Sequence, residues 1–293
     1  MELERYEALL CVIESGSLSA AAEKLGYTPS GISRMMATLE EENGFPLLYR
    51  LHKGVYPTRE CERLLPAIRE LIFYGENVKQ VSAQICGLDV GSVTIGTAYN
   101  CYYPWISKVI SRFHQVYPEI QVEIQNGNST ELLGKMKEHQ LDLCIISKRE
   151  GDYDWIPLVE DDLIALVSKE HALASENSVP IKCFATEAYI DTYPEMDTDN
   201  ARVLAKNKIS PNVKFKSLDI SATYMMVEAG LGIGMNNGIN RQTWNKNVVE
   251  LPLDPPETIS IGIAVTNIKS PAAKTFFSFI KDFVPEIQTM QRV

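Results

Sequence analysis

Apolar residues over the first ninety positions recur every three or four places, the period of helices packed on one face. Leu3, Tyr6, Leu9, Leu10 and Ile13 trace a first helical face. Ser19 is placed to cap a short second helix, Ala20-Ala21-Ala22-Glu23-Lys24-Leu25, which Gly26 ends in the left-handed conformation. Thr28 caps a third helix with Pro29 at its first position, where a missing N–H has no partner to lose. The intervening turn is therefore about three residues long, as a helix-turn-helix requires. Ile32, Met35 or Met36, and Leu39 fall on the inner face of the third helix. Ser30, Ser33, Arg34 and Thr38 are left on the outer one. Gly44 closes that helix, and Arg50-Leu51-His52-Lys53-Gly54-Val55-Tyr56 reads as a two-stranded wing turning at the glycine.

Short hydroxyl side chains and one arginine on an exposed helix suit base edges and phosphates in a major groove. Thr28, Pro29, Ser30, Ser33, Arg34 and Thr38 are accordingly the candidate groove residues. Arg50, His52 and Lys53 on the wing are candidates for phosphates or a minor groove. A helix pair with a glycine turn also occurs in helical proteins that never meet DNA. The wing and the preceding partner helix tip the reading towards DNA.

From Thr58, a further N-cap, Leu64, Ile68, Leu71, Gly75, Val78 and Ile85 fall on a 3-4 spacing as far as Gly87. About 28 residues at 1.5 Å each make a rod of roughly 42 Å, long enough to pair with a second copy. Two readings stay open: a paired linker helix, or a helix packed on its own domain, since Gly75 and Ser82 interrupt the seam.

Beyond Gly91 the pattern alternates between strand and helix. Val93–Gly96, Val122–Ile124 and Leu141–Ile146 read as strands separated by helices starting near Pro104 and Thr130, which implies a parallel sheet. A second set follows in Leu163–Val167, Ala188–Ile190, Val213–Phe215, a helix over Ser221–Ala229, and Ile233–Met235. Ile259–Val265 and a helix over Ala272–Phe283 return to the first half. Two small lobes joined by crossing strands leave a cleft between them.

At this point the chain resembles the LysR-type transcriptional regulators along its whole length. The resemblance rests on Leu9-Leu10, Gly16-Ser17-Leu18-Ser19-Ala20-Ala21-Ala22-Glu23-Lys24-Leu25, Ser33-Arg34, Leu39-Glu40-Glu41-Glu42, Gly44-Phe45-Pro46-Leu47-Leu48 and Pro57-Thr58-Arg59. It implies a winged helix-turn-helix domain at 1–58 and a dimerising linker helix at 59–88. A two-lobed α/β effector domain like the periplasmic binding proteins follows, with one lobe at 91–161 and 266–293 and the other at 162–265. It also implies promoter DNA, a small-molecule effector and a second copy of the chain as partners, in a dimer or a tetramer of paired dimers. The chain departs from the family pattern at Pro29, where glutamine is usual, and at Cys61, where glycine is common, and its wing carries less arginine. Only Ser33 and Arg34 carry over firmly as operator contacts.

The family places its effector in the cleft, and in doubly wound sheets ligands sit beyond the carboxyl ends of the strands, near helix N-termini. Three loops qualify: one with Tyr99, Asn100 and Cys101, one with Asn128, Ser129 and Thr130, and one with Ser221. Tyr189, Asp191 and Tyr193 close a strand of the other half and are expected to face them. The aromatic group Tyr99, Tyr102, Tyr103 and Trp105 either contacts a ring-bearing ligand or packs the strand-helix corner.

Charge modifies this picture. Lys and Arg number 28 against 38 Asp and Glu, a formal charge of −10, so any nucleic-acid footprint is local and weak nonspecific binding is expected. Six cysteines show no C-x-x-C pairing and the four histidines no metal-ligand spacing, so no cofactor or metal is expected. Asp191, Glu195, Asp197 and Asp199 read as a solvated acidic loop at the cleft mouth, suited to a cationic effector. Gly230-Leu231-Gly232-Ile233-Gly234 follows a helix and precedes a strand, the reverse of a phosphate loop. No nucleophile-base-orienter set is present, so an enzyme is not expected. The acidic start and the lack of a long apolar run point to a cytoplasmic protein with no membrane partner. Rival readings are a two-lobed small-molecule-binding protein and an effector-independent DNA-binding protein.

Overall fold

The computed structural model describes residues 3–241, 247–266 and 270–290. Positions 1–2, 242–246, 267–269 and 291–293 of the expected domain ranges lie outside the described residues. The chain forms two compact units whose main boundary falls between Val90 and Gly91.

The first unit contains α1 (Leu3–Ser15), α2 (Leu18–Leu25), α3 (Pro29–Asn43), β1 (Leu48–Leu51), β2 (Gly54–Pro57) and α4 (Arg59–Ile85). One core joins them: Leu9 and Val12 of α1, Ala21 and Ala22 of α2, and Ile32, Met36 and Leu39 of α3 meet Cys61, Leu65 and Ile68 of α4. The cap of α2 is Ser17, not Ser19. Ser17 is the residue with extended backbone, and its hydroxyl accepts from Ala20 N, so the helix begins two residues earlier than its alanines suggest. The seam of α4 also differs from the expected one. Cys61, Leu65 and Ile68 are buried in the domain core, and Leu64, Leu71 and Ile72 pack against it, whereas Val78 and Ile85 are exposed. Gly75 interrupts the seam for a steric reason: a Cβ there would lie 2.4 Å from Leu3 Cδ2. The helix runs through Pro66 without a break.

The second unit opens with β3 (Gly91–Thr97), α5 (Tyr103–Val116), β4 (Ile120–Asn126), α6 (Ser129–Lys137) and β5 (Leu143–Ser147). It continues with β6 (Asp154–Ser168), β7 (Val179–Pro180), β8 (Tyr189–Thr192), α7 (Asp199–Lys206), β9 (Val213–Ser217), α8 (Ile220–Glu228), β10 (Gly234–Asn237), β11 (Val248–Asp254), β12 (Thr258–Val265), α9 (Pro271–Lys281) and α10 (Val284–Met290). The main sheet has the order β4-β3-β5-β12-β6-β11-β7, with β10 also on β6. β3, β4 and β5 are parallel, as the strand-helix alternation requires.

The 15-residue strand β6 links the lobes. Its first part pairs with β12 and its second with β10 and β11. The strand β12 falls in the second lobe by the ranges 162–265, yet it hydrogen-bonds to β5 in the first. The first-lobe core is built on Val93, Ile95, Phe113, Ile145, Ile263 and Phe276. The second is built on Leu163, Phe184, Tyr189, Val203 and Ile233.

Candidate functional site

The outer face of α3 is positioned by its two ends. Thr28 has extended backbone and its hydroxyl accepts from Gly31 N at 3.1 Å; the missing side chain of Gly31 lets that cap close. Gly44, at φ 79°, ends the helix in the left-handed form. Between them Ile32, Met36 and Leu39 are buried. Thr28, Pro29, Ser30 and Arg34 are exposed, with Ser33 and Thr38 half-buried beside them. Thr38 donates its hydroxyl to Arg34 O at 3.0 Å, while the Thr28 and Ser30 hydroxyls lie 3.1 Å apart.

The wing leans on this helix. Arg50 Nη1 donates to Ser33 Oγ at 3.4 Å, and Glu40 Oε1 accepts from Leu47 N and Leu48 N at 2.9 and 3.2 Å. The turn is His52-Lys53, both exposed, with Gly54 as the first residue of β2. Gly54 has φ +134°, and a Cβ there would sit 3.0 Å from Gly16 O, the carbonyl that receives Val55 N at 2.8 Å. Glycine is required there both for the backbone angle and for the close approach.

All nine expected DNA-reading residues thus lie on two adjoining elements of one small domain. Exposed Tyr27 in the α2–α3 turn and Tyr49 on β1 join them, unnoticed in sequence because isolated tyrosines carry no period. The first three turns of α3 hold no carboxylate. At its C-terminal end, Glu40 holds the wing and Glu42 pairs with Arg5 at 2.7 Å. Exposed Glu41 follows Arg34 and Thr38 on the outward side, so the acidity reaches only the C-terminal end of that face and leaves its first three turns free of it.

In the second unit a cavity of about 420 Å³ lies between the lobes, opposite the carboxyl ends of β3, β4 and β5. Its floor is a buried polar cluster. Arg149, just beyond β5, donates from Nη1 to Ser147 Oγ at 2.6 Å, from Nε to Thr130 Oγ1 at 3.2 Å, and from Nη2 to Asp199 Oδ1 at 3.1 Å. Asp199, the first residue of α7, also accepts from Ser147 Oγ at 2.5 Å, Tyr99 OH at 2.7 Å and Asn237 Nδ2 at 3.3 Å. Ser129 and Ser147 hydroxyls meet at 3.0 Å. Burial, together with the neighbouring Asp199 charge, pushes the Tyr99 phenol well above its ordinary value, so it stays a donor.

Of the expected effector residues, Tyr99, Asn100, Asn128, Ser129 and Tyr193 line this cavity. Thr130 stands behind it, bonded to Arg149 and to Asp197 Oδ2 at 2.7 Å. Tyr189 is not at the cleft: as the first residue of β8 it is 1% exposed in the second-lobe core, whereas Thr192 and Tyr193 at the carboxyl end of that strand line the cavity. Asp191, Cys101 and Ser221 are likewise absent from the lining. Ile220 rather than Ser221 faces the cavity, since Asp219 starts α8 by accepting from Ala222 N at 2.9 Å. Cys101 keeps an exposed face, yet its sulfur is shielded enough that burial pushes the thiol up to about 12. The aromatic corner divides: Tyr102 and Trp105 are core, while Tyr99 serves core and cavity together.

The acidic loop is corrected as well. Thr198 caps α7, Asp199 is buried against Arg149, and Asp197 is held below the usual carboxylate range chiefly by hydrogen bonds from Arg202. Helical spacing at Ala201, Val203 and Leu204 after Thr198 was the available signal. Arg149 was also missed, although the charged pair Lys148-Arg149 shortly after the apolar run Leu143–Ile146 marks the ligand end of a central strand. Among the described residues no group of three or more His, Cys, Asp or Glu could hold a metal ion. Nor is any helix among them long and apolar enough to cross a membrane.

With this geometry in view, two family models match the chain: the bacterial regulatory helix-turn-helix protein of the lysR family over residues 3–62, and the LysR substrate binding domain over residues 87–285. The chain belongs to the LysR family of transcriptional regulators, which are DNA-binding and effector-binding proteins and not enzymes. It is similar to the uncharacterized HTH-type transcriptional regulator YybE of Bacillus subtilis, 27% identical over 96% of this chain and 98% of the relative. Among solved structures, a full-length OxyR variant from Pseudomonas aeruginosa shares the fold with TM-score 0.69 at 16% identity, covering 98% of this chain and 95% of the other. Full-length CbnR complexed with its target DNA matches with TM-score 0.62 at 16% identity, covering 96% and 99%.

Proposed function

We propose that this regulator acts in the cytoplasm as a homo-oligomer. Paired N-terminal domains read a two-fold promoter site, and a small molecule in the inter-lobe cleft biases the assembly between two states. In this reading residues 1–58 form the reading head and 59–88 the pairing helix, while 91–161 with 258–293 and 162–257 form the two effector lobes. The observation that carries it is the coexistence in one chain of an exposed α3 whose first three turns hold no carboxylate and a cavity between lobes floored by a buried polar cluster.

Ser33 and Arg34 are the residues for base edges, with Thr28, Pro29, Ser30 and Thr38 flanking them and Arg50, His52 and Lys53 on the adjoining phosphates. Tyr99, Asn100, Asn128, Ser129 and Tyr193 serve the effector. CbnR, similar in fold, has been solved on DNA, which supports the same use of the first unit here. Pairing draws support from Val78, Val81 and Ile85, which leave an apolar stripe exposed on α4. By family resemblance two such dimers form a tetramer.

The test is mass-spectrometric identification of a metabolite co-purified with the full chain, followed by addition of that metabolite to a promoter-binding assay. A changed footprint with the wild type, absent in Tyr193→Ala, is expected. An unchanged footprint with a bound metabolite contradicts the effector role.

A further inference from the structure

The cavity wall contains one polar atom that is buried and unpaired. Asn200, the second residue of α7, is 9% exposed and lines the cavity. Its Nδ2 donates to Met235 O at 2.9 Å. A backbone carbonyl accepts and never donates, so this bond fixes the amide's orientation and leaves Oδ1 as the free atom. Among the described residues Asn200 Oδ1 has no hydrogen-bond partner. A buried acceptor left unpaired is costly, and a ligand that brings an N–H or O–H to it recovers that cost.

The strong donors of the same cavity are already engaged. Arg149 is the one cationic side chain among its lining residues, and all three of its guanidinium nitrogens donate within the protein. The carboxylate that takes Nη2, the Ser147 hydroxyl and the Tyr99 hydroxyl is Asp199, so an internal anion fills the place that a ligand carboxylate or phosphate needs. Three carboxylates, Glu131, Asp197 and Asp199, line the cavity beside that single guanidinium. Glu131 pairs with Lys135 at 2.9 Å and Asp197 with Arg202 at 2.5 Å, so the obstacle to an anionic ligand is Asp199, which it must displace from Arg149. A neutral or cationic ligand need not displace it.

We propose that the cleft selects a small, non-anionic effector whose amine, amide or hydroxyl group donates to Asn200 Oδ1, with an apolar portion against Tyr193, Met196 and Ile220. The proposal rests on the cleft being the effector site and adds the chemical class that it accepts.

Three probes of equal ring size separate the classes: benzylammonium, benzyl alcohol and benzoate, each titrated to 20 mM into the full chain at constant ionic strength while its melting temperature is followed. Benzylammonium and benzyl alcohol are expected to raise it saturably by about 2 °C or more, as a ligand in several-fold excess over its Kd does. Benzoate is expected to leave it unchanged, and Asn200→Leu is expected to lose the response. If that variant does not fold, the ranking of the three probes on the wild type decides alone. A saturable benzoate response that Tyr193→Ala abolishes overturns the ligand class and leaves the cleft as the binding site. Responses that persist in Tyr193→Ala overturn the cleft reading itself. No response to any of the three overturns the proposal, since a cavity of about 420 Å³ admits all of them.

Discussion

Arg149 Nη2 stands 3.1 Å from Asp199 Oδ1, with both side chains buried, so a single ion pair ties the end of a first-lobe strand to the start of a second-lobe helix. Removing one member of such a pair leaves the other charged and unsolvated, whereas removing both does not. Asp199→Ala should lower stability by ~3 kcal/mol, read from denaturant unfolding, and Arg149→Met with Asp199→Ala should recover part of that loss. Acetate at tens of millimolar should raise the melting temperature of Asp199→Ala more than that of the wild type, by filling the vacated carboxylate position. Equal effects of acetate on both proteins would mean that the donors around Asp199 are not an anion receptor.

The wing depends on Gly54. An alanine there must hold φ near +134° and place its Cβ 3.0 Å from Gly16 O, so Gly54→Ala should destabilise the N-terminal unit by about 1–2 kcal/mol. Weakened DNA binding should follow from misplacement of His52 and Lys53. Thermal unfolding of the variant gives the answer, and an unchanged transition would show that the wing is not fixed by this contact.

These two sites show what could be read in advance and what could not. Caps, glycine stops and helical spacing made α1, α3 and the wing legible, because each depends on residues adjacent in sequence. Strand-helix alternation likewise exposed β3 to β5 and the two-lobed plan. The pairing of Asp199 with Arg149 was illegible: it is made by tertiary approach across 50 positions, and an isolated Asp or Arg looks like solvated surface. Tyr189 failed for a related reason. It stands at the start of β8 while Thr192 and Tyr193 at the other end line the cavity, and a four-residue strand does not show in advance how far along it the cleft begins.

Asp142 offers a pH test. Its carboxylate accepts from Thr94 N at 2.8 Å, yet burial dominates and raises it to about 6. Between the unfolded value near 4 and about 6 the folded state holds the extra proton, so this group's contribution is full below that window and is lost as pH rises through it. Asp142→Asn keeps an acceptor for Thr94 and cannot ionise. Its melting temperature should exceed that of the wild type by a few degrees at pH 7.5 and match it at pH 4.5. A difference that does not change with pH would remove Asp142 as the cause.

On α4, Val78 is 65% and Ile85 82% exposed, more apolar area than a lone helix end readily leaves in water. Val78→Asp with Ile85→Asp should convert the assembly to smaller species in sedimentation velocity without lowering the helical signal. Retention of the full assembly would place the subunit contact elsewhere.

The central claim is that the exposed side chains of α3 choose the DNA sequence. The most direct measurement is selection of bound duplexes from a random pool by the wild type and by the Ser33→Ala, Arg34→Ala double variant, whose fold is checked by thermal unfolding. The wild type should enrich a two-fold symmetric site, and the variant should lose that preference, with affinity for the enriched site down about tenfold or more. Enrichment of the same site by both proteins would contradict the account.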